Sequence, residues 1–353
     1  MTENTDIISE RPLVTFALFA YNQEKYIREA IEGAFSQSYE PLEIILSDDV
    51  SSDRTFEIMQ EMAAEYQGRH RVMVRRTHTN LRPYSHVLDV AQRMNGQLMI
   101  LAAGDDISKP ERVQEIVDTW IRTNCWAVHS RYDTIDEAGN VLALGQRSQS
   151  LLSPECDLRT YFFSKDGPIE VVHGATSAYD IQLFQQAPAN SAGILSEDGV
   201  FTIILNALRG SVSFVESSLV RYRVHTGAIS NTGLEYKSIN DTRKAIKKEG
   251  IYAKNIVDRA ELLLHFAEVR NDDIRKLNTA KLKDEIIFYR SKFEWNTLTY
   301  TERVTSILLA WKRNRIGFLI SGVFGEQCGA IYLFVRQTMG RFFRKKGAHH
   351  ERT

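Results

Sequence analysis

The sequence predicts an α/β fold around a largely parallel sheet, with a helical region appended at its C-terminal end. Three observations carry this prediction. Short apolar runs alternate with amphipathic segments through the first part of the chain, as βα units require. The first run, residues 13–20 (LVTFALFA), is almost wholly apolar, as expected of a strand covered on both faces. From about Tyr236 onward the strand pattern gives way to helical, highly charged sequence.

In order, the first strand leads to a helix over 24–36 with Tyr26, Ile27, Ala30, Ile31, Ala34 and Phe35 on one face. A strand over 42–46 and a helix over 53–66, with Phe56, Met59 and Ala63 inward, come next. A short strand over 71–75, a helix over 86–94 and a strand over 97–103 complete this half. The polar loops after these strands gather at one sheet edge, where open α/β sheets bind ligands. Beyond Pro110 the pattern is mixed and partly antiparallel, suited to an acceptor site. It comprises a helix over 111–123, strands over 127–134 and 141–144 around a turn at 137–140, strand-like runs over 169–178 and 212–225, and a helix over 198–208. The expected divisions are a flexible N-terminus (1–11), a catalytic domain (12–235, with halves 12–110 and 111–235) and a helical, basic C-terminal region (236–353).

Composition excludes several classes. With 43% apolar and 25% charged residues the chain reads as folded rather than disordered. Cys125, Cys156 and Cys328 lack metal-ligand spacing and suit free thiols in a reducing compartment. No signal-peptide pattern opens the chain, and the longest apolar stretch, 316–335, is interrupted by Glu326 and Gln327. A cytoplasmic location is therefore expected. The formal net charge of −1 gives no sign of nucleic-acid binding, and it conceals an asymmetry. Residues 303–346 hold nine Lys or Arg against Glu326 alone, a net of +8, among apolar runs such as TSILLAW. Basic amphipathic helices bind anionic membrane surfaces without spanning them. The stretch equally suits a hairpin on the catalytic domain or a homo-oligomer interface.

Three acidic clusters follow apolar segments or open helices: Asp48–Asp49, Asp105–Asp106 and Glu197–Asp198. Adjacent carboxylates disfavour each other's ionised forms. A hard divalent cation relieves that cost, and a diphosphate leaving group needs such an ion. Any one pair alone could be a turn or a helix cap. In RYRVHTG, read as a strand, Arg221, Arg223 and His225 share a face, a cationic row suited to a diphosphate, with a histidine suited to manganese. His173 and Gly174 fall in the expected acceptor half, and Asn80 and Arg82 are candidates to line the donor site.

The segments TFALFAYNQEKYIREAIEGAFSQSYEPLEIILSDDVSSDRT and GQLMILAAGDDISKPERV resemble the opening and the metal-binding strand end of the family-2 glycosyltransferases, which have the GT-A fold. The likeness covers roughly residues 12–230 and is of the kind found in bacterial cell-surface polysaccharide assembly. It implies a GT-A-type, Rossmann-like mixed sheet with flanking helices. It further implies a nucleotide-sugar donor, with UDP favoured, a divalent cation (Mn or Mg), a glycan or lipid-linked hydroxyl acceptor, and inversion. Tyr21, flanked by Ala20 and Asn22, matches the loop whose ring lies against the donor's base. Asp49, with Asp48 beside it, matches the carboxylate for base or ribose. Asp106 matches the metal contact, Asp105 the residue for ribose or metal-bound water, and His225 a histidine near metal or diphosphate. Asp198, with Glu197 beside it, matches the general base. An acceptor hydroxyl needs one, being a poor nucleophile until its proton is taken. Gly104 departs from the family's Asp-x-Asp spacing and leaves the number of protein ligands open.

Other readings fare worse. A nucleotidyltransferase would show a Gly-rich basic loop where this chain has AYNQEKY, and no G-x-G-x-x-G follows an early strand. An inactive nucleotide-sugar-binding scaffold of the same fold would not need the intact acidic clusters.

Overall fold

In the computed structural model the described residues are 11–147, 171–188, 197–225 and 277–312, with short helical pieces between 253 and 268 and residue 323. The N-terminal 1–10, most of 226–276 and nearly all of 313–353 lie outside them, so the expectations for those stretches do too. The chain divides into two units. The first comprises 1–157, 167–229 and 272–275, and the second 158–166, 230–271 and 276–353.

In the first unit the apolar run 13–20 becomes β1 (Val14–Ala20), inside a nine-stranded sheet of order β3-β2-β1-β4-β8-β6-β9-β5, with β7 on β6. Its parallel part is β3 (Arg71–Arg76), β2 (Leu42–Asp48), β1 and β4 (Leu98–Ala103). The mixed part comprises β5 (Ile107–Ser108), β6 (Ala127–Ile135), β7 (Val141–Gln146), β8 (Ala178–Asp180) and β9 (Val212–Arg223). Helices α1 (Ile27–Phe35), α2 (Thr55–Glu65), α3 (Arg82–Ala91) and α4 (Arg112–Thr123) follow strands as the βα pattern predicts. Phe16, Leu18, Ile44 and Ile100 pack with Ile27 and Ile31 of α1 and Val113 and Ile116 of α4 into the main core.

Register places the site. Ala20 pairs with Asp48, and Phe19 with Ala103, so all three strands end at one edge. Beyond β4 the chain crosses through Gly104–Asp106 to β5, whose Ile107 pairs with Arg221 of β9. The second acidic pair therefore sits at the joint between the parallel and the mixed parts.

The structure corrects some local readings. Helix α3 starts at Arg82, not 86, with Pro83 in its first turn and the Asp49 carboxylate accepting from Leu81 N and Arg82 N. Of the described part of the run 169–178, only Ala178, the first residue of β8, is strand. The run holds a 3₁₀ turn, Gly174–Thr176, before β8. On α2, Ile58 and Met59 are buried and Phe56 only half-buried. Strand β5 and helix α5 (Ile181–Gln186) went unpredicted, and α6 spans Glu197–Leu208.

In the second unit, α7 (Thr279–Arg290) is capped by Asn278, whose side chain accepts from Lys281 N. Helix α8 (Tyr300–Lys312) opens with a reciprocal capping box between Thr299 and Glu302. Among the described residues no helix is long and apolar enough to cross a membrane.

Candidate active site

Two loops at the strand edge are fastened to each other by the polar residues the sequence places there. Asn22 N donates to Ser51 Oγ (2.8 Å), Ser52 N to Asn22 Oδ1 (2.7 Å) and Gln23 N to Thr55 Oγ1 (2.8 Å). Asn22 is thereby a brace, and Tyr21 beside it is left 51% exposed with its ring open to a stacking partner. Three non-glycine residues at this edge, Asn22, Val50 and Arg82, have φ of 53°, 63° and 65°. Such conformations cost energy, most of all for the β-branched Val50, and persist where surrounding contacts enforce them.

The first acidic pair is heavily engaged. Asp48 Oδ2 accepts from Ser51 N and pairs with Arg76 Nε (both 3.0 Å). Asp49 Oδ1 accepts from Thr77 Oγ1 (2.9 Å) and Leu81 N (2.8 Å), and Oδ2 from Arg82 N (2.9 Å). Asn80 donates to Asp49 O (3.2 Å), so this candidate closes the same turn. Asp48 Oδ1 is buried without a hydrogen-bond partner among the described residues.

The second pair is engaged more lightly. Asp106 is buried, and its Oδ1 accepts from Arg223 N (2.8 Å). Burial first, then the neighbouring Asp105 charge, holds the Asp106 carboxyl well above the usual carboxylate range, against Arg223 and Arg112. Asp105 Oδ2 lies 3.0 Å from His225 Nε2, and the His225 ring rests 4.9 Å from that of Tyr26. Gly104 is explained by space. A Cβ there would meet Gln23 Oε1 at 2.5 Å, Ala20 Cβ at 2.8 Å and Ile27 Cδ1 at 3.0 Å. No ligand side chain fits at 104, so the protein's carboxylates here are those of 105 and 106.

The cationic row of β9 divides. Arg221 is exposed and His225 meets Asp105, but Arg223 is 1% exposed. Arg223 Nε donates to Asp105 O (2.9 Å), Nη1 to Asp136 O and Glu137 O, and Nη2 to Glu29 Oε2 (2.9 Å), with the guanidinium 4.8 Å from the Tyr26 ring centre. It is not presented to a diphosphate as the shared face predicted. It holds the loop that carries the acidic pair.

On the acceptor side, α6 opens with Glu197 and Asp198, and Asp198 Oδ1 accepts from Gly199 N (2.6 Å). A Cβ on Gly174 would sit 2.8 Å from Glu197 Oε1 and 3.4 Å from Asp198 Oδ2, so this glycine lets the 3₁₀ turn approach both carboxylates. His173 stacks on Tyr132 at 4.9 Å with Nδ1 unpartnered among the described residues. Burial lowers its pKa, opposed by Asp198 and assisted by Arg112. Arg112, which sequence reasoning missed, is fully buried and donates to Ser108 Oγ (2.9 Å), Leu101 O (2.7 Å) and Ala175 O (3.2 Å). Burial brings its pKa down to about 9, against the attraction of Asp106. One buried cation thus ties the Asp106 loop to the turn beside Asp198. Its signal in sequence, the Arg of KPERV at a helix start, looks like an ordinary surface residue.

Among the described residues no three His, Cys, Asp or Glu side chains form a ready-made metal cluster. Asp106 and the Asp105–His225 pair nevertheless fit a cation shared with a ligand. Mg²⁺-type sites use one or two carboxylates and complete their shell from phosphates and water, and the ionised form of Asp106 is disfavoured by burial and then by its neighbour's charge.

Comparison with known proteins places this geometry. Residues 15–187 match the family described as Glycosyl transferase family 2. An uncharacterized protein of Mycobacterium bovis is 41% identical over 88 residues, 25% of each chain, so the match spans a quarter of that relative's length. An uncharacterized glycosyltransferase of Haemophilus influenzae is 26% identical over 260 residues, 68% of this chain and 73% of that one. The crystal structure of GalNAc-T7 with UDP, GalNAc and Mn²⁺ aligns with TM-score 0.52 at 13% identity, over 81% of this chain and 57% of that one. At such identity the likeness is one of fold, the GT-A arrangement of a mixed sheet with flanking helices.

Proposed function

We propose, on the match of residues 15–187 to glycosyl transferase family 2, a metal-dependent, inverting transfer of a sugar from a nucleoside diphosphate to a hydroxyl acceptor. The observation that carries this reading is Asp106, a buried carboxyl beside a second carboxylate with a backbone N–H on one of its oxygens. Asp106, with Asp105 and His225, would hold a Mn or Mg ion, which when bound neutralises charge building on the leaving diphosphate. Tyr21 offers its exposed ring to the base, and the Asp48–Asp49 turn, closed by Asn80, forms the wall for base and ribose. A UDP-sugar is the favoured donor, in keeping with the UDP in GalNAc-T7.

Asp198 takes the acceptor hydroxyl's proton as that oxygen attacks the anomeric carbon, and the carbon–diphosphate bond breaks on the opposite face. Inversion is inferred from the family resemblance. Arg223 and Arg112 position rather than react, the first bracing the acidic loop and the second joining it to the turn beside Asp198. The acceptor is read as a glycan, free or carried on a lipid, and a lipid-linked acceptor would keep the enzyme at the inner face of the membrane. The test is slow donor hydrolysis across a panel of nucleotide sugars with manganese, which needs no acceptor. One UDP-sugar hydrolysed only with metal supports the reading, and no metal-dependent hydrolysis of any donor overturns it.

A further inference from the structure

Helix α8 turns its large apolar side chains outward. Tyr300, Val304, Ile307, Leu308 and Trp311 are all exposed, Tyr300 at 82% and Trp311 at 73%. At 3.6 residues per turn these five positions fall within one arc of about 100°. The inward positions are small. Ser306 and Ala310 are buried, and Ser306 Oγ donates to Ile287 O of α7 (3.2 Å). The usual order of a surface helix is inverted, and a continuous exposed apolar stripe marks a surface that something covers.

The residues around the stripe indicate what covers it. Aromatic rings at both ends, Tyr300 and Trp311, suit the boundary between headgroups and acyl chains. Exposed Lys312 adjoins Trp311, and the stretch 303–346 sets nine Lys or Arg against Glu326. That charge complements anionic headgroups, whereas a second copy docking here would bring two strongly cationic segments together. The 13 described residues of α8 are fewer than the about 20 that a bilayer span takes. We propose that α8 is an in-plane anchor, with Tyr300, Val304, Ile307, Leu308 and Trp311 inserted into an anionic phospholipid surface. The anchor is independent of which sugar is transferred.

The test is co-sedimentation of the full chain, without nucleotide, with phosphatidylglycerol or phosphatidylcholine vesicles. The anchor predicts binding to the anionic vesicles that weakens with salt and falls about tenfold or more in Ile307→Glu/Trp311→Ser. A milder pair, Val304→Gln/Leu308→Gln, should fall in the same direction, and unchanged thermal unfolding by circular dichroism confirms that each variant is folded. Equal binding by wild type and both variants, or no binding to phosphatidylglycerol, overturns the proposal. So does a wild-type dimer in light scattering that the substitutions make monomeric, since a second copy would then cover the face. Because no donor or metal is present, failure here is separate from failure of the transfer reading.

Discussion

The same dipeptide, Asp-Asp, stands at the end of β2 and just beyond β4 at one sheet edge with opposite outcomes. At Asp48–Asp49 three of the four carboxylate oxygens receive five protein donors. At Asp105–Asp106 the donors among the described residues are two, His225 Nε2 and Arg223 N. Where the protein supplies the donors, the carboxylates are structural and fix the turn and the start of α3. Where it withholds them and buries one carboxyl against its neighbour, the charge is uncompensated by the described residues, and the proposed function assigns it to a cation.

The contrast can be broken in order of expected effect. Asp106→Asn should cut turnover by about three orders of magnitude, as loss of electrostatic stabilisation at the reacting diphosphate does, and leave the metal-free fold at least as stable as wild type. Steady-state kinetics and thermal unfolding read both. Asp198→Asn should cost about 10²–10³ in transfer while nucleotide binding persists. Near-native transfer with the true acceptor would remove Asp198 as base.

Asp49→Ala should behave differently. Leaving Thr77, Leu81 and Arg82 without their acceptor should cost about 2–4 kcal/mol in urea unfolding, with activity falling as a consequence. Gly104→Ala should cost about 1–3 kcal/mol, because the new Cβ meets Ala20 and Ile27.

A pH series sharpens the same contrast. Asp106 in the folded, metal-free protein binds its proton more tightly than in the unfolded chain. Its contribution to stability is therefore present at low pH and declines as pH rises from about 4 through the folded value. A cation takes the proton's place, so the Tm gain given by Mn²⁺ should grow across that window in wild type and vanish in Asp106→Asn.

Much of this was legible in the sequence because strand ends and acidic pairs are local signals. Residues 13–20, 42–46 and 97–103 read as strands, the first of them covered on both faces, and the pairs Asp48–Asp49 and Asp105–Asp106 fall at their ends on one edge. What was not legible depends on what packs over a residue. Two-residue periodicity put Arg223 on a face with Arg221, but not beneath Tyr26, Glu29 and the 136–137 carbonyls. Arg112 carries no local signal because its acceptors, Leu101 O and Ala175 O, come from elsewhere in the chain. The run 169–178 looked extended because its apolar residues say nothing of Gly174 needing to bend toward Glu197. Helix α8 was legible as basic and amphipathic, while the outward turn of its apolar side was not.

The most direct measurement is calorimetric titration of UDP into wild type, Asp106→Asn and Asp49→Ala, with and without manganese. Manganese-dependent binding in wild type that disappears in Asp106→Asn, and that weakens but stays manganese-dependent in whatever fraction of Asp49→Ala is folded, is the predicted result. Binding that ignores manganese, or that Asp106→Asn retains in full, would contradict the assignment of Asp105–Asp106 as the site left for a ligand.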